Sequence, residues 1–114
     1  MSDTEERIID PHKVVDQILI NRKQYAEAKA KRIYAEEYRK SLKAIIMKRS
    51  METAVNAQER EAYSDPEYLK LLKAIEEAVE IEESLRWMLI AAQLRIEIWR
   101  TQEASNRFLD KVTL

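Results

Sequence analysis

The chain has 114 residues with no cysteine and no glycine, and its 20 basic and 21 acidic side chains leave a net charge of -1. That length fits one domain, and the charge balance excludes both a histone-like cation and an acidic tail. Without cysteine there is neither a disulfide frame nor a thiolate zinc site, which fits a reducing, cytoplasmic setting.

The first ten residues, MSDTEERIID, are acidic and contain no apolar run. They are expected to be a flexible acidic segment (1–10) rather than a signal or transit peptide. Both prolines follow aspartate, at Asp10-Pro11 and Asp65-Pro66. Aspartate accepts a hydrogen bond from a free first-turn N–H, and a proline at the first helical position has no N–H to leave unsatisfied. Each pair therefore predicts a helix start. The residue before a proline is biased away from the α region, so the first helix should end near residues 62–64.

With no glycine for tight turns, and with 36% charged residues, the composition predicts long helices. The expected fold is all-α: a long antiparallel helical hairpin, coiled-coil-like and oligomeric. Its helices span roughly 11–62 and 66–108, forming a single domain over 11–108, with a frayed C-terminus at 109–114. The first helix either runs unbroken or is interrupted at residues 50–56, where SMETAVN holds weak helix formers and Ser50 or Thr53 offers a cap.

In the first helix an apolar stripe runs through Val14, Ile18, Tyr25, Ala28, Ala35, Leu42 and Ile45 or Ile46. In the second, one stripe runs from Tyr68 through Leu72, Ile75, Val79, Leu85, Met88 or Leu89, Ala92 and Ile96 to Trp99. A second stripe begins at Trp87 and continues through Ile90 or Ala91, Leu94 and Ile98. A helix apolar on opposite sides is buried on opposite sides, which two helices alone cannot achieve. Trp87, Leu89, Ile90, Leu94, Ile98 and Trp99 are therefore expected to form an oligomer interface. The apolar-rich window at residues 85–99 is too short and carries too many charges to cross a membrane.

Charge is segregated along the chain. Residues 22–49 hold ten cations against three glutamates, and residues 52–84 hold ten acids against three cations. Arg22, Lys23, Lys29, Lys31, Arg32, Arg39, Lys40 and Lys43 interleave with Tyr34 and Tyr38. Cations contact phosphates and release counterions while an exposed tyrosine stacks a base, so these ten residues are the expected nucleic-acid-binding set.

Catalytic chemistry has no counterpart in this pattern. His12 is the single histidine and adjoins a helix cap, so no metal site is expected. Glu76, Glu80 and Glu83 share a helix face without the glutamate–histidine pair of a di-iron bundle. Ser41 and Lys43 are two apart on a helix and diverge. The lack of glycine also removes phosphate-cradling loops. No enzyme activity and no cofactor are expected.

The segments YAEAKAKRIYAEEYRKSLKAIIM, QEREAYSDPEY and LRWMLIAAQLRIEIWRTQEASNR resemble a family of small helical tailed-phage proteins found among recombination genes. The layout resembles that of the UvsY-type recombination mediators. The resemblance covers about residues 11–107. It implies a non-enzymatic oligomer in the host cytoplasm that binds single-stranded DNA and acts with a recombinase and a single-strand binding protein. Under it, Lys29, Lys31, Arg32, Arg39, Lys40 and Lys43 match the DNA-contacting helix. The other function class open to this sequence is a helical protein–protein interaction module, an adaptor or inhibitor of a host protein, that binds no nucleic acid.

Overall fold

The computed structural model describes residues 9–113, and the residues of the expected flexible segment before Ile9 lie outside it. Among the described residues there are three helices: α1 (Pro11–Lys48), α2 (Val55–Ser64) and α3 (Pro66–Thr113). Among the described residues there is no strand, and the fold is an all-α helical hairpin.

Both aspartate–proline pairs start helices as predicted. Asp10 Oδ1 accepts from the His12 backbone N–H at 3.0 Å, and Asp65 Oδ1 accepts from that of Glu67 at 2.8 Å. Asp65 itself is extended, with φ -64° and ψ 132°, which separates α2 from α3. Of the two forms open for the first helix, the interrupted one is found: α1 ends at Lys48 and α2 begins at Val55. The predicted cap is corrected, because the residue preceding α2 is Ala54 and no side chain caps it. Ser50 instead braces the connection. Its hydroxyl bonds the Glu61 carboxylate and accepts the Glu52 N–H at 3.1 Å, while Gln58 Nε2 donates to the Glu52 carbonyl at 2.9 Å. The C-terminal boundary also moves: α3 continues to Thr113, so residues 109–113 are helical where fraying was expected, and Leu114 lies outside the described residues.

The stretch read as one domain falls into two compact units, one made of residues before Tyr25 with those from Leu85 onward, the other of Tyr25–Ser84. In the Tyr25–Ser84 unit, the end of α1, all of α2 and the start of α3 meet. Leu42, Ile46, Ala62 and Tyr68 are buried there, with Met47, Leu71 and Leu72 packed against them. Three elements can enclose a side chain where two cannot, which is why the core sits beside α2. Ala62 is wholly inaccessible, as expected for a small residue at a close helix approach.

The less exposed positions of α1 include Pro11, Val14, Ile18 and Asn21 in one unit and Tyr25, Ala28, Arg32, Ala35, Leu42 and Ile46 in the other, at steps of three and four except from Ala35 to Leu42, where Arg39 is exposed. This is the heptad period of helices packed along a seam. It contains the predicted apolar stripe, settles its end on Ile46 rather than Ile45, and adds two polar members, Asn21 and Arg32. The less exposed positions of α3 include Tyr68, Ile75, Ala78 and Glu82 within the Tyr25–Ser84 unit, and Leu85, Leu89, Ala92, Ile96 and Trp99 within the other unit.

The polar members meet partners across the seam. Arg32 forks onto Glu82, donating through Nε to Oε2 and through Nη2 to Oε1 at 3.1 Å, and holds Glu36 through Nη1 at 3.0 Å. Glu82 is only 6% exposed, so its charge depends on this two-point contact. The glutamate partners, Glu82 first, hold the Arg32 guanidinium's pKa well above its ordinary value against the opposing effect of desolvation. At the other end of this unit Arg49 Nη2 bonds Glu67 Oε2 at 2.8 Å, and these two pairs set α1 and α3 antiparallel. In the other unit, Asn21 Nδ2 donates to the Met88 sulfur at 3.2 Å.

A paired polar contact within an apolar seam selects one register, since sliding by a turn would strand both charges. Reversing Arg32 alone (Arg32→Glu) is expected to lower the thermal midpoint sharply. Combining it with Glu82→Arg should recover a large part of the loss, and melting curves of the four-member cycle read the coupling directly.

Candidate nucleic-acid and assembly surfaces

The ten predicted nucleic-acid residues all lie on α1 but do not share one face. Arg22, Lys23, Lys29 and Lys31 are exposed. Arg32 is not a surface cation; it is committed to Glu82 and Glu36 in the seam. Lys40 Nζ lies 3.3 Å from Glu37, and Lys43 Nζ lies 3.8 Å from Glu59. The acidic segment thus supplies counter-charges to the basic helix that linear counting leaves uncompensated.

Two groupings emerge within the Tyr25–Ser84 unit. Tyr34 and Tyr38, four residues apart, stack with ring centroids 6.3 Å apart and planes 6° from parallel. Tyr34 is 72% exposed and Tyr38 39%, so the pair presents ring area to solvent. By helical spacing Lys31 falls one turn before Tyr34 on the same side of α1, and Ser41, Ile45 and then Lys48, ten residues past Tyr38, continue that side.

The second grouping is a shallow depression of about 340 Å³ lined by Arg39, Lys40, Lys43, Tyr63 and Tyr68. Tyr63 meets Tyr68 edge to face at 5.5 Å, and the Lys43 ammonium stands 4.7 Å from the Tyr63 ring centroid. The hydrogen bond with Tyr63, with help from Glu59, raises the Lys43 pKa above its ordinary 10.5 despite desolvation. Sequence reasoning places Arg39, Lys40 and Lys43 in the binding set but misses Tyr63 and Tyr68 as their neighbours. The one signal in the sequence is the tyrosine-bearing break at AYSDPEY.

The six predicted interface residues divide by face. Trp87, Leu94 and Ile98 are 59%, 55% and 54% exposed, whereas Leu89, Ile90 and Trp99 are half-buried. Leu89 and Trp99 occupy heptad positions of the inward stripe, so they belong to the hairpin seam rather than to its outer side. Arg86 lies over the Trp87 ring at 4.9 Å. Farther along α3, Phe108, Leu109 and Val112 are also exposed, an apolar extension beyond the window read from the sequence.

Among the described residues, no three histidine, cysteine, aspartate or glutamate side chains come together in a way that could hold a metal ion, and no helix is long and apolar enough to cross a membrane. What fold and surface together define is a helical hairpin with two outward features, a stacked tyrosine pair on α1 and an uncovered apolar stripe on α3. Comparison with protein-family models, with curated proteins and with solved structures finds no match to this chain.

Proposed function

We propose that the protein is a non-enzymatic, self-associating accessory factor that binds single-stranded DNA, acting in the cytoplasm. The observation that carries this is the exposed Tyr34–Tyr38 stack, with exposed Lys31 one turn before it and Lys48 farther along the same side of α1. Bases stack on exposed aromatic rings whatever their sequence, and flanking cations hold the backbone, which is the combination a single strand requires. The resemblance to UvsY-type mediators supplies the process: assistance to a recombinase on strands coated by single-strand binding protein.

Anisotropy of a labelled oligothymidine, titrated with the protein at several salt concentrations, tests this. Tyr34→Ala with Tyr38→Ala is expected to weaken binding at least tenfold, since each stacked base is worth about 1–3 kcal/mol. Lys31→Glu with Lys48→Glu should flatten the salt dependence as well as weaken binding. Absence of binding at low salt removes the proposal. Arg32 is a poor target for this test, because its replacement acts on the seam.

One observation favours a second reading, a protein-interaction module without nucleic acid. Arg32, Lys40 and Lys43 of α1, and Arg49 just past its end, are all drawn to glutamates, which depletes the basic segment of free cations. Unchanged partner binding by the tyrosine and lysine variants, together with no DNA affinity in the parent, selects this reading.

A further inference from the structure

The exposed stripe on α3 keeps a strict heptad step. From Trp87 it runs through Ala91, Leu94, Ile98, Thr101, Ser105, Phe108 and Val112, alternating steps of four and three. The inward stripe has the same period but is offset by two residues, about 200° around the helix, so the two lie on opposite sides. A second helix can therefore lie along the outer stripe without displacing α1.

The order of side-chain sizes indicates how that helix runs. Aligned in parallel, each residue of the stripe meets its own copy: tryptophan on tryptophan, phenylalanine on phenylalanine, and alanine, threonine and serine on themselves. The Trp87 and Phe108 layers would then be overfilled and the Ala91, Thr101 and Ser105 layers underfilled, and voids and overpacking both cost stability. Aligned antiparallel about a two-fold axis between Ile98 and Thr101, every layer matches a large residue with a smaller or branched one. Trp87 faces the second copy's Val112, Ala91 its Phe108, Leu94 its Ser105, and Ile98 its Thr101. Met88 and Leu109, one position further round the helix, then flank the same seam as a second apolar pairing. Among the charged flanking residues, Arg95 meets Gln102 and Glu97 meets Ala104, so no like charges are opposed.

The surface already has the recess that such packing uses. Leu94, Glu97, Ile98 and Thr101, spaced i, i+3, i+4 and i+7, border a hollow of about 330 Å³ on this side of α3. Four residues at that spacing form the hole that accepts one knob of a facing helix. In the antiparallel register the knob is the second copy's Thr101, and symmetry fills both holes at once. The seam spans residues 87–112, roughly 39 Å at 1.5 Å per residue.

We infer that two copies of this chain pair antiparallel through the outer face of α3, in the register that sets Ala91 against Phe108 and Ile98 against Thr101. This deepens the self-association in the proposed function and rests on it. The chain lacks cysteine, so single cysteines report the register without background.

Ala91→Cys and Phe108→Cys proteins, mixed in equal amounts and mildly oxidised, are expected to form mainly the mixed disulfide dimer. Ile98→Cys mixed with Thr101→Cys should do the same, and that pair leaves the aromatic layers intact. Light scattering of the parent protein is read alongside. A stable oligomer that gives only same-site disulfides, or none, overturns the antiparallel register while leaving self-association standing. A monomer at every concentration overturns both.

Discussion

Ile46→Ala is expected to destabilise the protein by about 3 kcal/mol, within the range for truncating a fully buried aliphatic side chain. Ile46 is 2% exposed and packs where α1, α2 and α3 converge, so deletion of its outer carbons leaves a cavity that three braced elements cannot readily close. Few side chains are buried among the described residues, and the loss is correspondingly a large part of the total stability. Urea denaturation followed by far-UV circular dichroism measures it. The neighbouring Ile45, 48% exposed, serves as control, and Ile45→Ala should cost less than about 1 kcal/mol. Equal losses at the two positions would show that the core does not lie beside α2.

Leu94→Glu combined with Ile98→Glu is expected to abolish self-association while leaving helicity and melting of the separate chain nearly unchanged. Both residues are more than half exposed, so the folded chain accepts charge at either position. In an interface, each substitution removes about 1.5–3 kcal/mol of apolar burial and adds a carboxylate with no partner. Together they should weaken association by at least about a hundredfold. Sedimentation equilibrium across a wide concentration range reads this directly. Leu89→Glu provides the contrast: at a half-buried seam position it should lower helicity and stability along with association. If the double variant unfolds while Leu89→Glu is tolerated, the two faces of α3 have been interchanged.

Much of the architecture is legible in the amino-acid order. The two aspartate–proline pairs mark helix starts because proline's fixed φ and aspartate's side chain act locally, within one turn. The inward stripes of α1 and α3 are legible for a related reason, since their spacing records which side of each helix is covered. The break after Lys48 is only one of two forms the sequence leaves open. Weak helix formers permit a break, but its bracing by Ser50, Glu61 and Gln58 depends on residues up to 11 positions apart.

The binding surface is less legible. A count of charge along the chain makes residues 22–49 a continuous basic strip, in which Arg32 looks equivalent to Lys31. Their fates differ because one residue of rotation on a helix is about 100°, which turns Arg32 into the seam toward Glu82 and leaves Lys31 outward. Tyr63 and Tyr68 are invisible as companions of Lys43 for a similar reason: the three are neighbours only once α2 folds back beside α1.

Helical character, the starts of two helices and the presence of apolar residues on two opposite sides of α3 all follow from the order of residues alone. The forces responsible act within a few positions: backbone propensity, capping, and the periodic placement of side chains. Which cations are neutralised, where the core closes and which apolar stripe stays uncovered are settled only when the helices pack. Those outcomes depend on segments up to 50 residues apart, as between Arg32 and Glu82, where desolvation and ion pairing are set by what arrives on the facing helix.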